Sequence, residues 1–190
     1  KSSEGYNNLG GGDIDREIIH GLLLPYLKEN YSFNELELKD VKSFAEELKK
    51  QLGKSEEYDL LTEIGELPED DEGEEMEIEL TVTREQINKL ARPLFQRAID
   101  KTKLLLKNNG LSTSDLSALV LVGGPTQMPI LREMIEEQLM KPDISINAMT
   151  GIAEGAALYA STMQNNVKKH GTGANDETNS NEPAIKLEVD

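Results

Sequence analysis

The stretch VGGPTQMP, Val122 to Pro129, limits what this chain can become more than any other part of it. Ala118 to Val122 is an unbroken apolar run, the pattern of a short strand covered on both faces. Gly123 and Gly124 then remove two side chains where the chain must turn and where a ligand could approach bare main chain. Pro129 suits a first helical position, because the N–H it lacks would be unpaired there anyway. Ile130, Leu131, Met134, Ile135, Gln138 and Leu139 follow at helical spacing. A strand, a glycine turn and a helix in succession specify an α/β protein whose ligand edge lies at the strand's carboxyl end. A two-glycine turn is also ordinary punctuation, so the motif alone leaves structure and ligand binding both open.

The 190 residues suffice for one respectable core or two small ones. The formal charge of −16 is local in origin. Glu56 to Glu79 holds 13 Asp or Glu and no Lys or Arg, which leaves −3 for the remainder. An acidic chain without a basic stripe is not expected to bind nucleic acid, since phosphate neutralisation supplies most of that affinity. The absence of cysteine excludes disulfides, thiolate catalysis and Cys-type zinc sites. His20 and His170 have no ligand spacing between them, so no metal site is expected: His20 reads as a partly exposed helix residue and His170 as part of a polar tail. No apolar run approaches the roughly 18 residues of a membrane span, and no signal peptide opens the chain. The expectation is a soluble cytoplasmic protein with no membrane partner.

Along the chain, Gly10 to Gly12 form a second glycine turn, with Asp13 and Asp15 placed to complement the start of a helix. Ile14, Ile18, Leu22 and Tyr26 make its apolar stripe, and the pairing of Gly21 with Pro25 predicts a kink. A second helix is expected from about residue 35 to Leu52, buried through Val41, Phe44, Ala45, Leu48 and Leu52 and stopped at Gly53. Met76, Ile78, Leu80 and Val82 alternate with polar residues, as in a half-buried strand, and the acidic run around them reads as a solvated loop. Thr83 and Gln86 have capping-box spacing at the start of a third helix, which carries Ile87, Leu90, Leu94, Ala98 and Leu105 towards a stop at Gly110. A short strand is expected over Ile144 to Ile146. A helix rich in small residues follows, with Gly151, Ala153, Gly155, Ala156, Ala157 and Ala160 suited to close packing. Gln164 to Pro183 is too polar to offset the entropy of ordering and reads as a linker. Ile185, Leu187 and Val189 alternate as in a strand just begun, so the chain is expected to be a piece excised from a longer polypeptide.

Four blocks in order carry a family resemblance: KSSEGYNNLGGGDID at Lys1 to Asp15, EELKKQL at Glu46 to Leu52, LVLVGGPTQMP at Leu119 to Pro129, and INAMTGIAEGAALYAST at Ile146 to Thr162. The chain resembles the 70-kilodalton heat-shock chaperone family, the DnaK type, over the second half of its actin-like ATPase domain. The resemblance implies an α/β actin-like ATPase lobe, ribonuclease H-like, with an inserted smaller α+β subdomain. Residues 1–8 and 92–163 would form the ribonuclease H-like half of the nucleotide-binding domain, and residues 9–91 the smaller subdomain capping the nucleotide cleft. Residues 164–183 would be the linker and 184–190 the start of a β-rich substrate-binding domain, although the short apolar linker typical of the family is missing.

The same resemblance implies ATP or ADP as the cofactor, with Mg2+ only in the full-length parent. Nucleotide exchange factors, J-domain-type co-chaperones and unfolded polypeptide would be the partners. Glu46, Lys49 and Lys50 resemble the helical face that contacts adenine and ribose, and their spacing puts them on one face. Gly123 and Gly124 resemble the backbone lying against the nucleoside, with Thr126 in the same turn, and Gly10 and Gly11 resemble a turn near the cleft. Gly53, Pro125, Gln127 and Met149 occupy base-pocket positions where the family usually has Ser, Ser, Arg and Asp. Hydroxyl partners are thereby lost, and Gln127 cannot supply a planar cation to stack on a base. Looser adenine recognition is expected. The family's phosphate loops, catalytic Lys and magnesium-linked carboxylates precede the first residue here, so the chain alone should not hydrolyse ATP, whereas the parent should couple ATP to protein folding. A nucleotide-sensing or nucleotide-free scaffold on the same fold is the alternative, and another actin-like ATPase such as a sugar kinase fits less well.

Overall fold

The computed structural model describes residues 10–34 and 36–169, and only the backbone of residues 164–169. Among them are six α-helices and one two-stranded antiparallel sheet. The chain divides into two units, Lys1–Ile152 and Ala153–Asp190. The first contains the core.

Helix α1 (Gly11–Ile18) starts from Gly10, whose N–H donates to Asp13 Oδ2 at 2.8 Å, so the acidic first turn acts as expected. The chain continues through a π-helical turn, Ile19–Leu23, into α2 (Leu24–Asn30). A regular helix would need the N–H that Pro25 lacks. The π turn instead sends the Leu24 N–H to the Ile19 carbonyl, five residues back. The extra residue rotates the buried face. Ile14, Ile18, Leu23 and Leu27 are buried, whereas Leu22 and Tyr26, expected inside, are half-buried. A Cβ on Gly21 would lie 2.6 Å from Leu90 Cδ2, so this glycine lets the bulged segment approach its neighbour.

Helix α3 (Leu38–Leu52) buries all five expected residues, Val41, Phe44, Ala45, Leu48 and Leu52. It starts later than expected, with Glu37 as its extended N-cap. Gly53 ends it with φ −66°, a right-handed conformation open to any residue, so its lack of a side chain and not its backbone is what distinguishes the position. Strand β1 (Glu57–Leu61) pairs with β2 (Glu79–Thr83) in the register Tyr58↔Val82 and Leu60↔Leu80. Met76, Ile78 and Val82 are buried, as the alternation requires, and so is Leu60 of β1, whereas Leu80, expected inside, is half-buried.

The acidic connection between the strands is mostly exposed, yet Asp70 organises it. Its carboxylate accepts N–H donation from Glu72 and Glu74 at 2.9 Å and from Ser32 at 3.2 Å. The Glu74 N–H above all, helped by those of Glu72 and Ser32, holds its pKa below the ordinary Asp value. A depressed folded-state pKa stabilises the fold at pH values above the unfolded pKa of about 4, and this stabilisation disappears as pH falls through the folded value. Asp70→Asn should therefore lower Tm near pH 7. The gap to the wild type should close near pH 2. Thermal melts at the two pH values check this, and a gap independent of pH would refute it.

Helix α4 (Arg84–Asn108) begins at the expected capping box: Thr83 N–H donates to Gln86 Oε1 at 2.8 Å, and Gln86 N–H donates to Thr83 Oγ1 at 3.4 Å. Ile87 and Leu94 are buried and Leu90, Ala98 and Leu105 half-buried. Past its end, Gly110 takes φ +66°, the left-handed stop anticipated there. Helix α5 (Pro129–Gln138) starts at Pro129 and buries Ile130, Leu131, Met134 and Ile135. These faces, with α1 to α4 and the sheet, share one core.

Further expectations are corrected. Ala118 to Val122 is not a strand covered on both faces: only Val120 pairs, in a single parallel bridge to Asp143. Leu119 and Leu121 pack inward, while Val120 and Val122 are 42% and 43% exposed. Two-sided burial needs flanking strands, and among the described residues one bridge is all that flanks this run. For the same reason Ile144 to Ile146 forms no strand, and Ile144 is 70% exposed. In α6 (Gly151–Lys169), only Gly151 makes the close approach that small residues permit: its Cβ would lie 2.6 Å from Ile146 Cγ2. Ala153, Gly155, Ala156, Ala157 and Ala160 are exposed. The helix also takes residues 164–169 from the expected linker. Residues 1–8, the rest of that linker with His170, and the alternating Ile185, Leu187 and Val189 lie outside the described residues. Among the described residues, no helix is long and apolar enough to cross a membrane.

Candidate functional site

Gly123 adopts φ +97° and ψ 155°, backbone space that only glycine enters without strain. Its N–H donates to the Ala148 carbonyl at 2.7 Å, which ties the turn to the segment before α6. Its own carbonyl accepts from the Thr126 N–H at 3.1 Å and from the Thr126 hydroxyl at 2.7 Å. Gly124–Gln127 thereby coil into a 3-10 turn that hands the chain to α5. From α5, Arg132 Nε donates to the Thr126 carbonyl at 2.9 Å and fixes the turn from behind.

The carboxyl end of α3 carries the cationic part of the site. Lys49 Nζ forms an ion pair with Asp15 and donates to the Gly11 carbonyl at 3.2 Å, joining α3 to the glycine turn at the start of α1. Lys50 pairs with Glu46 at 3.5 Å, one turn back along the same helix. Glu46 also meets Lys42 at 3.9 Å. Such exposed rungs each contribute only tenths of a kcal/mol.

A cavity of about 460 Å³ opens where these parts meet. Gly11, Lys49, Lys50, Gly53 and Lys54 line it from the α1 and α3 side, and Gly124, Pro125, Gln127, Met128 and Met149 from the turn and the segment before α6. Of the residues expected from sequence, Gly11, Lys49, Lys50, Gly53, Gly124, Pro125, Gln127 and Met149 therefore come together. Glu46 does not line the cavity and stays with its lysine partners. Gly10, Gly123 and Thr126 line a neighbouring cavity of about 360 Å³, walled mainly by apolar residues including Ile14, Phe95 and Leu131. Gly11 and Pro125 border both.

Lys54, Met128 and Asp15 were not anticipated as site residues. Lys54 lies four residues after Lys50, a helical spacing, but past the end of α3 at Leu52. Asp15 carries a signal that was readable in part: it is a carboxylate directly beside Ile14 in an apolar stripe. Its partner stands on another helix, which local pattern does not reveal.

The cavity is of a size that takes a heterocycle with a sugar. Three ammonium groups and one amide line it with no carboxylate, so it favours ligand acceptors. Pro125, Met128 and Met149 supply apolar, polarisable surface to a flat ring. No group of His, Cys, Asp and Glu placed to hold a metal ion occurs among the described residues. A family model described as Hsp70 protein matches residues 1–176 of the chain.

Proposed function

The chain belongs to the Hsp70 protein family, chaperones with an actin-like ATPase fold, and from that premise we propose that its 460 Å³ cavity receives the adenosine side of ATP or ADP. One observation carries the reading. Two lysines of α3 and a bare turn far along the sequence, Gly124 and Pro125, border a single cavity sized for a nucleoside. Gly124 has φ outside the left-handed region, and the atom nearest to a Cβ built there is Met149 Sδ at 3.9 Å, so the absence of a side chain keeps the space open.

In this reading residues 9–91 are the inserted α+β subdomain, and residues 1–8 with 92–163 the ribonuclease H-like half. The chain contributes the nucleoside side of the cleft to a longer, cytoplasmic, ATP-dependent chaperone. Nucleotide state is relayed to a peptide-binding domain that holds unfolded polypeptide, and exchange factors and J-domain-type co-chaperones set the pace. Phosphoryl transfer needs positioned Mg2+ and a group to orient the attacking water, and the cavity lining has no carboxylate for either task. In this reading those groups belong to the phosphate side of the cleft, and the chain alone should show no ATP turnover.

The lining also supports a loosened grip on the base. Gly53 and Pro125 provide no hydroxyl, Gln127 no stacking cation, and Met149, 63% exposed, only a mobile thioether. Titrating the full chain with ADP in a calorimeter should give a Kd between about 10 μM and 1 mM. No heat at millimolar ADP would overturn the nucleotide reading in favour of a scaffold on the same fold, and nanomolar binding would refute the loosened pocket.

A further inference from the structure

Asp15 is the charged residue that the core buries, 3% exposed among the described residues. A carboxylate in that place is costly unless it is paired and hydrogen-bonded. Lys49 supplies the pairing, and its ammonium, whose side chain is 18% exposed, also holds the Gly11 carbonyl while lining the cavity. An ion pair so placed seldom stabilises a fold more than an apolar pair of the same volume. What it does provide here is an N–H donor at the wall whose own charge is cancelled from behind, so that of the three lining lysines only Lys54 has no ion-pair partner among the described residues. Two of the three ammonium donors are engaged by Asp15 and Gly11, which leaves one for a ligand acceptor. Lys50 is balanced in turn by Glu46 at 3.5 Å.

We infer that Asp15 is a positioning residue that cancels the Lys49 charge at the cavity wall and so selects the uncharged nucleoside end of a nucleotide over its phosphates. The inference rests on the nucleotide reading above. Removing either charge should move the preference in opposite directions. Asp15→Asn leaves the Lys49 charge unbalanced and raises affinity for an anionic ligand relative to a neutral one. Lys49→Met leaves the carboxylate and does the reverse.

The test is calorimetric titration of the full chain with ADP and, separately, with adenosine. Asp15→Asn should raise the ratio of ADP to adenosine affinity about three- to tenfold in low salt, and the effect should shrink towards none near 0.5 M salt, where the screening length is only about 4 Å. Lys49→Met should lower the same ratio, and the double variant should return it to the wild-type value. A purely structural role would weaken both ligands in proportion. An unchanged ratio with both ligands still binding therefore overturns the role of Asp15 and leaves the nucleotide reading standing. Wild-type chain that binds neither ligand overturns both. Should Asp15→Asn not fold, the step from Lys49→Met to the double variant decides, since it removes the Asp15 charge in a background without the lysine and should raise the ratio; no rise overturns the role of Asp15.

Discussion

Leu23→Ala should destabilise the chain by about 3 kcal/mol, and the neighbouring Leu22→Ala by less than about 1 kcal/mol. The two substitutions delete the same atoms one residue apart, so the difference isolates the helical register. Leu23 has no exposed surface and belongs to the core that also holds Leu27, whereas Leu22 is only partly buried at its edge. In an uninterrupted α-helix the stripe begun by Ile14 and Ile18 would continue through Leu22 and Tyr26, and the two costs would exchange. The π turn at Ile19–Leu23 is what reverses them. Urea unfolding with a common m value measures both variants, and equal or inverted costs would remove the π turn from the fold.

Gly124→Leu should reduce ADP affinity at least about 100-fold and change stability by no more than about 1 kcal/mol. The backbone at Gly124 is not left-handed, so a side chain enters without strain. The Cβ has ordinary van der Waals room, with Met149 Sδ 3.9 Å away. Beyond that room lies the cavity itself, which a leucine side chain would occupy at the expense of the base. Calorimetry of ADP binding, with a thermal melt of the same sample, separates exclusion from misfolding. Retained affinity in a folded variant would mean that nucleotide, if bound, sits elsewhere.

The elements that were legible share one property: their cause lies within a few residues. Thr83 and Gln86 cap α4 through hydrogen bonds spanning three positions. The buried face of α3 follows from spacings of three and four, and the burial of Met76, Ile78 and Val82 from alternation. The cavity was legible in a different way. Lys49, Lys50 and Pro125 were singled out by resemblance and Gly124 by the turn pattern as well, and neither source named Lys54 or Met128. The apolar run at Ala118 to Val122 misled because continuous hydrophobicity describes an environment, and that environment depends on strands the run must find elsewhere.

The amino-acid order thus determined, by itself, where α4 and α5 begin and where α4 stops, which face α3 buries, and that a glycine turn precedes α5. Tertiary structure alone decided that the interruption expected at Gly21 would be a π turn packed against Leu90, that Asp15 would meet Lys49, and that the ends of α1 and α3 would close on the Gly124 turn. The physical reason is range. Hydrogen bonds and periodicity act between neighbours along the chain, whereas burial of a charge or the shape of a cavity is set by whichever distant atoms packing brings within a few ångströms.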